Sequence, residues 1–145
     1  MRTIAVAAGA EDRQHCYGIR IAVFVHEQAV PIAEEFDEHD EGEAVHYLVL
    51  DGERPVATAR LVPAGEAAKL GRIAVVAAAR GAGHGDALVR RMLADARAEG
   101  YRTAVLDSQE DKVPFYARLG FEAEGEPFLD AGIVHRRMRL SLADE

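Results

Sequence analysis

A single cysteine, Cys16, stands among the 145 residues, so no intramolecular disulfide can form and no multi-cysteine zinc site can be assembled. That scarcity fits a reducing compartment, and the expected location is the cytoplasm. Lysine is almost as rare, at Lys69 and Lys112 only, and 25 acidic side chains face 17 basic ones for a formal net charge of −8. Binding a phosphate backbone needs clustered cations, so a nucleic-acid partner is not expected. Long apolar runs are missing too. The stretch from Met1 to Gly9 turns charged at Glu11-Asp12-Arg13, too short for the core of a signal peptide. Nothing later approaches the roughly 20 apolar residues of a membrane span, so no membrane partner is expected either.

What remains is an ordinary globular balance, 49% hydrophobic and 29% charged, in a length that one folded core accounts for. Residues 1–145 therefore read as a single domain. The excess acid has one address: Glu34-Glu35-Phe36-Asp37-Glu38-His39-Asp40-Glu41-Gly42-Glu43 carries seven carboxylates and no Lys or Arg. Without this decapeptide, 18 acids face 17 bases. The segment is either a solvated acidic loop or a field that concentrates cationic substrates beside a site. A calcium loop starting at Asp37 is excluded, because Leu48 would take the place of its bidentate Glu.

Short apolar runs punctuated by Gly, Pro and acidic turns define the elements. Thr3 to Ala8 reads as a strand. Glu11 to Val25 reads as a helix, with Cys16, Ile19 and Val23 at helical spacing and an acidic first turn. Val45 to Leu50 and Val56 to Val62 form a hairpin across Asp51-Gly52-Glu53-Arg54-Pro55, and Ala67 to Val76 follows as a further strand. Leu88, Val89, Met92, Leu93 and Ala96 make the apolar stripe of a second helix that Gly100 ends. Thr103 to Leu106 is a buried strand, Pro114 to Leu119 a short helix, and Phe121 to Leu129 and Ile133 to Leu140 close the chain as strands. The alternation predicts a mixed α/β sheet.

Arg80-Gly81-Ala82-Gly83-His84-Gly85 lies between a strand and a helix, where glycines let backbone amides approach an anion and the helix start offers unpaired N–H groups. A Walker loop is excluded, since Asp86-Ala87 replaces Lys-Ser/Thr, and a dinucleotide fingerprint would set Asp86 against the pyrophosphate. The pattern that fits is Arg-x-x-Gly-x-Gly, filled by Arg80, Gly83 and Gly85. Gln109 then precedes Phe115-Tyr116-Ala117-Arg118-Leu119-Gly120-Phe121.

These motifs resemble those of the GNAT superfamily of acyl-CoA-dependent N-acyltransferases. Arg20 to Gln28, Asp37, Asp40, His46, Gly132 to His135 and Met138 are similar to its ElaA-like branch. Lys112 departs from the small residue usual in the family, and Ser108 from the Ala frequent in this branch. The resemblance implies a mainly antiparallel sheet of about seven strands flanked by helices, with acetyl-CoA as cosubstrate and no metal. It further implies that Arg80, Gly81, Ala82, Gly83, His84 and Gly85 cradle the pyrophosphate of coenzyme A. Ile73, Ala74 and Val75 would hold the pantetheine arm, with the Val75 amide facing the oxyanion and Gln109 touching the cofactor. The expected activity is acetyl transfer to a small amine, a cationic one if the acidic segment is a field; the sequence leaves a homodimer open.

Acetyl transfer to an alkyl amine needs a base, because less than about 1% of such an amine is neutral at pH 7. Glu27 and His46 are the leading candidates, with Asp37, Asp40 and His135 behind them. Tyr116, a phenol that stays protonated at neutral pH, suits the donor that protonates the leaving thiolate. Cys16 sits on an apolar stripe and reads as a buried small hydrophobe. His26-Glu27 does not open a zinc-protease motif, since residue 30 is Val.

Overall fold

The computed structural model describes residues 1–40 and 42–143; Glu41 of the acidic segment lies outside them. The strand signals become a seven-stranded sheet of β1 (Arg2–Val6), β2 (Val45–Asp51), β3 (Arg54–Ala64), β4 (Ala67–Val75), β5 (Thr103–Gln109), β6 (Glu122–Asp130) and β7 (Ile133–Ser141), in the order β1-β2-β3-β4-β5-β7-β6. Neighbours are antiparallel except β4 and β5. That one parallel pair follows from a helical crossover between them, since parallel strands cannot be joined by a tight turn.

The helices are α1 (Ala10–Arg20), α2 (Ile32–Glu35), α3 (His84–Ala98) and α4 (Val113–Arg118). The predicted stripe of α3 is buried in full, packing Leu88, Val89, Met92, Leu93 and Ala96 into the core that holds Tyr47, Val49, Val56, Leu70 and Leu106. On the opposite face, Cys16, Ile19 and Val23 from the α1 segment cover Leu48 and Ala74. Both chain reversals after the later helices use glycine in the left-handed region. Gly100 (φ 89°) and Gly120 (φ 103°) donate to Arg97 and Ala117, and the next amides, of Tyr101 and Phe121, reach back to the carbonyls of Ala96 and Tyr116. This paired 5→2 and 6→1 closure satisfies carbonyls that the helix end leaves open.

One expectation needs correction. The first helix does not run uniformly to Val25: α-helical geometry stops at Arg20 and a π-helical segment, Ile21–Glu27, completes it, with Gln28 N donating to Val23 O at 3.0 Å. The wider turn carries Phe24 and Gln28 to the cavity described below. Helix α2 has too few residues to register as a periodic pattern, and ion pairs to distant arginines hold it in place.

The sheet also opens in the middle. β4 pairs with β5 only over Ala67–Leu70 against Thr103–Leu106, after which the strands part. β4 carries a bulge there: Thr58 faces Ala74 but Arg60 faces Gly71, leaving an extra residue on β4, and Arg72 adopts φ 51°. A bulge bends its strand and sharpens the twist, which turns the end of β4 away from β5.

Candidate active site

The parted strands open into a cavity of about 220 Å3. Arg72 and Ile73 line it from β4, Leu106 to Gln109 from β5, Tyr116 from α4 and His135 from β7. Phe24, Gln28, Val30 and Glu34 cover it from the segment after α1. Gln28 and Gln109 meet across the gap, with Gln109 Nε2 donating to Gln28 Oε1 at 2.6 Å. Tyr116 is nearly buried, edge-on to both Phe115 and Phe121. Burial pushes its phenol well above the ordinary value, so it stays a proton donor at neutral pH.

One end of the gap leads to the glycine loop. Gly81 (φ 87°) and Gly83 (φ 82°) hold left-handed conformations, and Gly83 is the N-cap of α3 with no side chain capping it. The first intrahelical donor is Ala87, to Gly83 O at 3.1 Å, so the amides of His84, Gly85 and Asp86 precede the helical ladder. A Cβ on Gly83 would meet nothing nearer than Arg2 Nη2 at 3.5 Å, so backbone conformation and an open approach govern this position. At Gly85 an added Cβ would make ordinary packing contacts, 3.5 Å from Phe115 Cζ and 3.8 Å from Val75 Cγ2, so the helix start packs against α4 and the end of β4. Arg2 braces the loop by donating to Ala82 O at 2.7 Å and to His84 Nδ1 at 3.0 Å. A cradle of free amides at a helix start with an arginine beside it fits a pyrophosphate-bearing group.

Residues 73–75 join the loop to the cavity. Val76 donates to Val56 O across the β3–β4 ladder. Because successive strand amides point to opposite sides, the Val75 N–H faces the side where β5 has departed. Val75 O receives Arg80 Nε at 3.0 Å, and Arg80 grips both carboxylate oxygens of Glu27 at 2.6 and 2.7 Å.

Glu27 and His46, the leading candidate bases, do not line the cavity. The hydrogen bonds from Arg80 hold the Glu27 carboxyl below its ordinary value and occupy both oxygens. His46 is buried: its Nε2 faces the Asp40 carbonyl at 3.1 Å, Tyr17 stands edge-on to its ring, and Nδ1 has no partner among the described residues. Burial pushes its pKa down despite Asp40, keeping the ring neutral.

The acidic segment is not a free negative field. Arg20 binds Glu35 at 2.9 Å and Asp40 at 2.6 Å; Arg60 binds Asp37 at 2.7 Å and Asp40 at 3.1 Å; Arg72 reaches Glu35 at 3.2 Å. Three carboxylates are thus matched by three arginines from α1, β3 and β4, with Arg20 almost wholly buried under Phe36. Burial pushes Asp40 up, but the hydrogen bonds from Arg20 and the Asp37 amide and the charges of Arg20 and Arg60 hold it at about 2. The reading of Asp37 and Asp40 as a steering field is replaced by a structural one.

Sequence reasoning placed Tyr116, Gln109 and the loop from local motifs. Gln28 and His135 carry the resemblance, and His135 is a candidate base as well, but nothing in the sequence links either to Gln109 or marks Arg2, Lys69 and Arg72 as contributors to the loop or cavity. Arg2 lies 82 residues from His84, and no local pattern announces such a contact.

Known proteins share this architecture. A family model described as "Acetyltransferase (GNAT) domain" matches residues 8–142, and the chain belongs to the GNAT acetyltransferase family, whose members are acyltransferases that use acetyl-CoA as cosubstrate. The chain is 39% identical over 137 residues to the uncharacterized N-acetyltransferase YjcF of Bacillus subtilis, covering 92% of this chain and 95% of that protein. Its fold is similar to that of Escherichia coli ElaA, with a TM-score of 0.87 at 25% identity over 97% of this chain and 99% of that one. An acyl-CoA N-acyltransferase from Pseudomonas aeruginosa gives a TM-score of 0.85 at 28% identity over 97% and 98% of the two chains.

Proposed function

We propose that residues 1–145 act as one domain that moves an acetyl group from acetyl-CoA to a small primary amine within a ternary complex. The observation that carries this reading is the parting of β4 from β5 beyond Leu70 and Leu106, which leaves a slot between the glycine loop and the cavity that Tyr116 lines. Acetyl-CoA, when bound, supplies an activated acyl thioester. Gly81 to Gly85 hold its pyrophosphate through backbone amides, with Arg80 bracing the loop through Glu27, Ile73 to Val75 hold its pantetheine arm, and Gln109 its far end. The Val75 amide faces the acyl oxygen.

In this reading the ammonium gives one proton to a base, the amine nitrogen forms the C–N bond as the C–S bond breaks, and the departing thiolate takes the Tyr116 proton. The phenol recovers that proton from the acylated nitrogen through the cavity. Net, one proton leaves on the base. Direct transfer is favoured because the only thiol of the sequence, Cys16, is fully buried on the inner face of α1 with its pKa raised by burial. Ser108 is buried and donates to Gln109 O at 2.8 Å, so it too is not free to carry an acyl group.

The test is thiol release from acetyl-CoA across a panel of primary amines, with acetylated products identified by mass. Release with matching acetylated amine supports the reading. Binding of acetyl-CoA with no transfer to any amine, peptide or protein would leave a CoA-binding sensor in its place.

A further inference from the structure

The proposed reaction lacks a proton acceptor once Glu27 is engaged by Arg80 and His46 is buried away from the cavity. His135 combines three features, of which neither of them has the first two. It lines the cavity. It stands directly across the β5–β7 ladder from Gln109, and directly paired residues of an antiparallel ladder project from the same face, so its ring shares the side on which Gln109 meets Gln28. Its Nδ1 lies 2.7 Å from the Ile133 carbonyl oxygen, which can only accept. The proton of the neutral ring therefore resides on Nδ1 and the lone pair on Nε2, which makes no hydrogen bond among the described residues. Phe128, its cross-strand neighbour on β6, stacks on the ring at 5.9 Å and 26° and fixes its plane. Lys112 and Tyr116, ahead of and on α4, and Asp130 at the end of β6 are among the ionisable groups that share the cavity, together with Glu34, Glu35, Arg60, Lys69, Arg72 and Asp107.

We propose that His135 is the general base that takes the ammonium proton on Nε2, an assignment that rests on amine acetylation at this cavity. Nε2 gains the proton, the amine nitrogen gains its lone pair for attack, and the imidazolium later returns the proton to water. A ring held by the Ile133 carbonyl and the Phe128 face can perform this without reorganising.

The test compares the intact protein with His135→Gln in thiol release from acetyl-CoA, using ethylamine and benzylamine, which arrive as ammonium ions at neutral pH, and trifluoroethylamine, which arrives neutral. The expected result is a loss of about 10²-fold in kcat/KM for the first two, the scale usual for a general base, with little loss for the third and unchanged acetyl-CoA affinity. An equal loss for all three, or no loss, overturns the assignment while the transferase reading stands. No transfer by the unaltered protein to any amine overturns both. Independently of turnover, nitrogen NMR of histidine-labelled protein must show the neutral His135 ring protonated at Nδ1; protonation at Nε2 overturns the assignment, whatever the folding of the variant.

Discussion

Tyr116 and Gln109 could be read from the sequence because each belongs to a motif whose members lie within a dozen residues of one another. Fixed spacing along a chain survives into fixed spacing in space when a helix cap or strand end intervenes, as Gly120 does for Tyr116. His135 and Gln28 were visible as residue types but not as partners of Gln109, because strand register and a π-helical turn bring them there. At this scale the central expectation concerns Tyr116. Its phenol is nearly buried and touches no acceptor among the described residues, so Tyr116→Phe should preserve the packing against Phe115 and Phe121. Steady-state thiol release should fall roughly 10²-fold in kcat, with acetyl-CoA affinity unchanged. Unchanged turnover would remove the phenol from the reaction.

Two tethers set the geometry between elements. The first is the largely buried cluster of Arg20, Arg60 and Arg72 with Glu35, Asp37 and Asp40, which fastens α2 and the following turn to β3 and β4 and so shapes the cavity roof. The acids were conspicuous in the sequence, but their partners were dispersed over 53 positions, and without them a solvated loop and a steering field were equally good readings. Asp40 sits at about 2 when folded, against an ordinary value of 3.8. A carboxyl depressed by folding adds stability above its unfolded pKa and loses it as pH falls toward the folded value. The contribution is therefore complete above about pH 4, disappears toward pH 2, and amounts to roughly 2 kcal/mol. Glu35, pushed up chiefly by burial, works in the opposite sense. Acid unfolding of Asp40→Asn followed by circular dichroism should start from a lower stability at pH 7 and show a shallower dependence between pH 4 and 2. A parallel shift of the whole curve, with the slope retained, would assign that pH dependence to other groups.

The second tether is the Glu27–Arg80 pair, which links the π-helical turn to the first residue of the glycine loop. Both side chains are about two-fifths exposed, so the pair adds little to global stability. Its effect should be positional. Arg80→Gln is expected to raise the KM for acetyl-CoA severalfold while leaving the melting temperature nearly unchanged, as read by initial rates and a thermal melt. A large drop in melting temperature with an unchanged KM would make the pair a stability element only.

Over the whole molecule, the net charge of −8 divides differently in space than along the chain. The acidic decapeptide looked like the dominant feature, yet three of its carboxylates are absorbed by arginines of α1, β3 and β4, and the cavity it roofs mixes both signs, with Arg60, Lys69, Arg72 and Lys112 facing Glu34, Glu35, Asp107 and Asp130. The mixed α/β order, the buried stripe of α3 and the glycine loop were all legible, because hydrophobic period and glycine placement are local properties. The parting of β4 and β5 was not, since it depends on a bulge at Arg72 that no residue type announces. The proposed reaction depends on that parting together with the loop at its end. Titration calorimetry of acetyl-CoA into the unaltered protein and into Gly83→Asp tests the combination most directly. The account predicts one saturable site in the first and none in the second, with matching circular dichroism spectra; no binding to the unaltered protein, or equal binding to both, would contradict it.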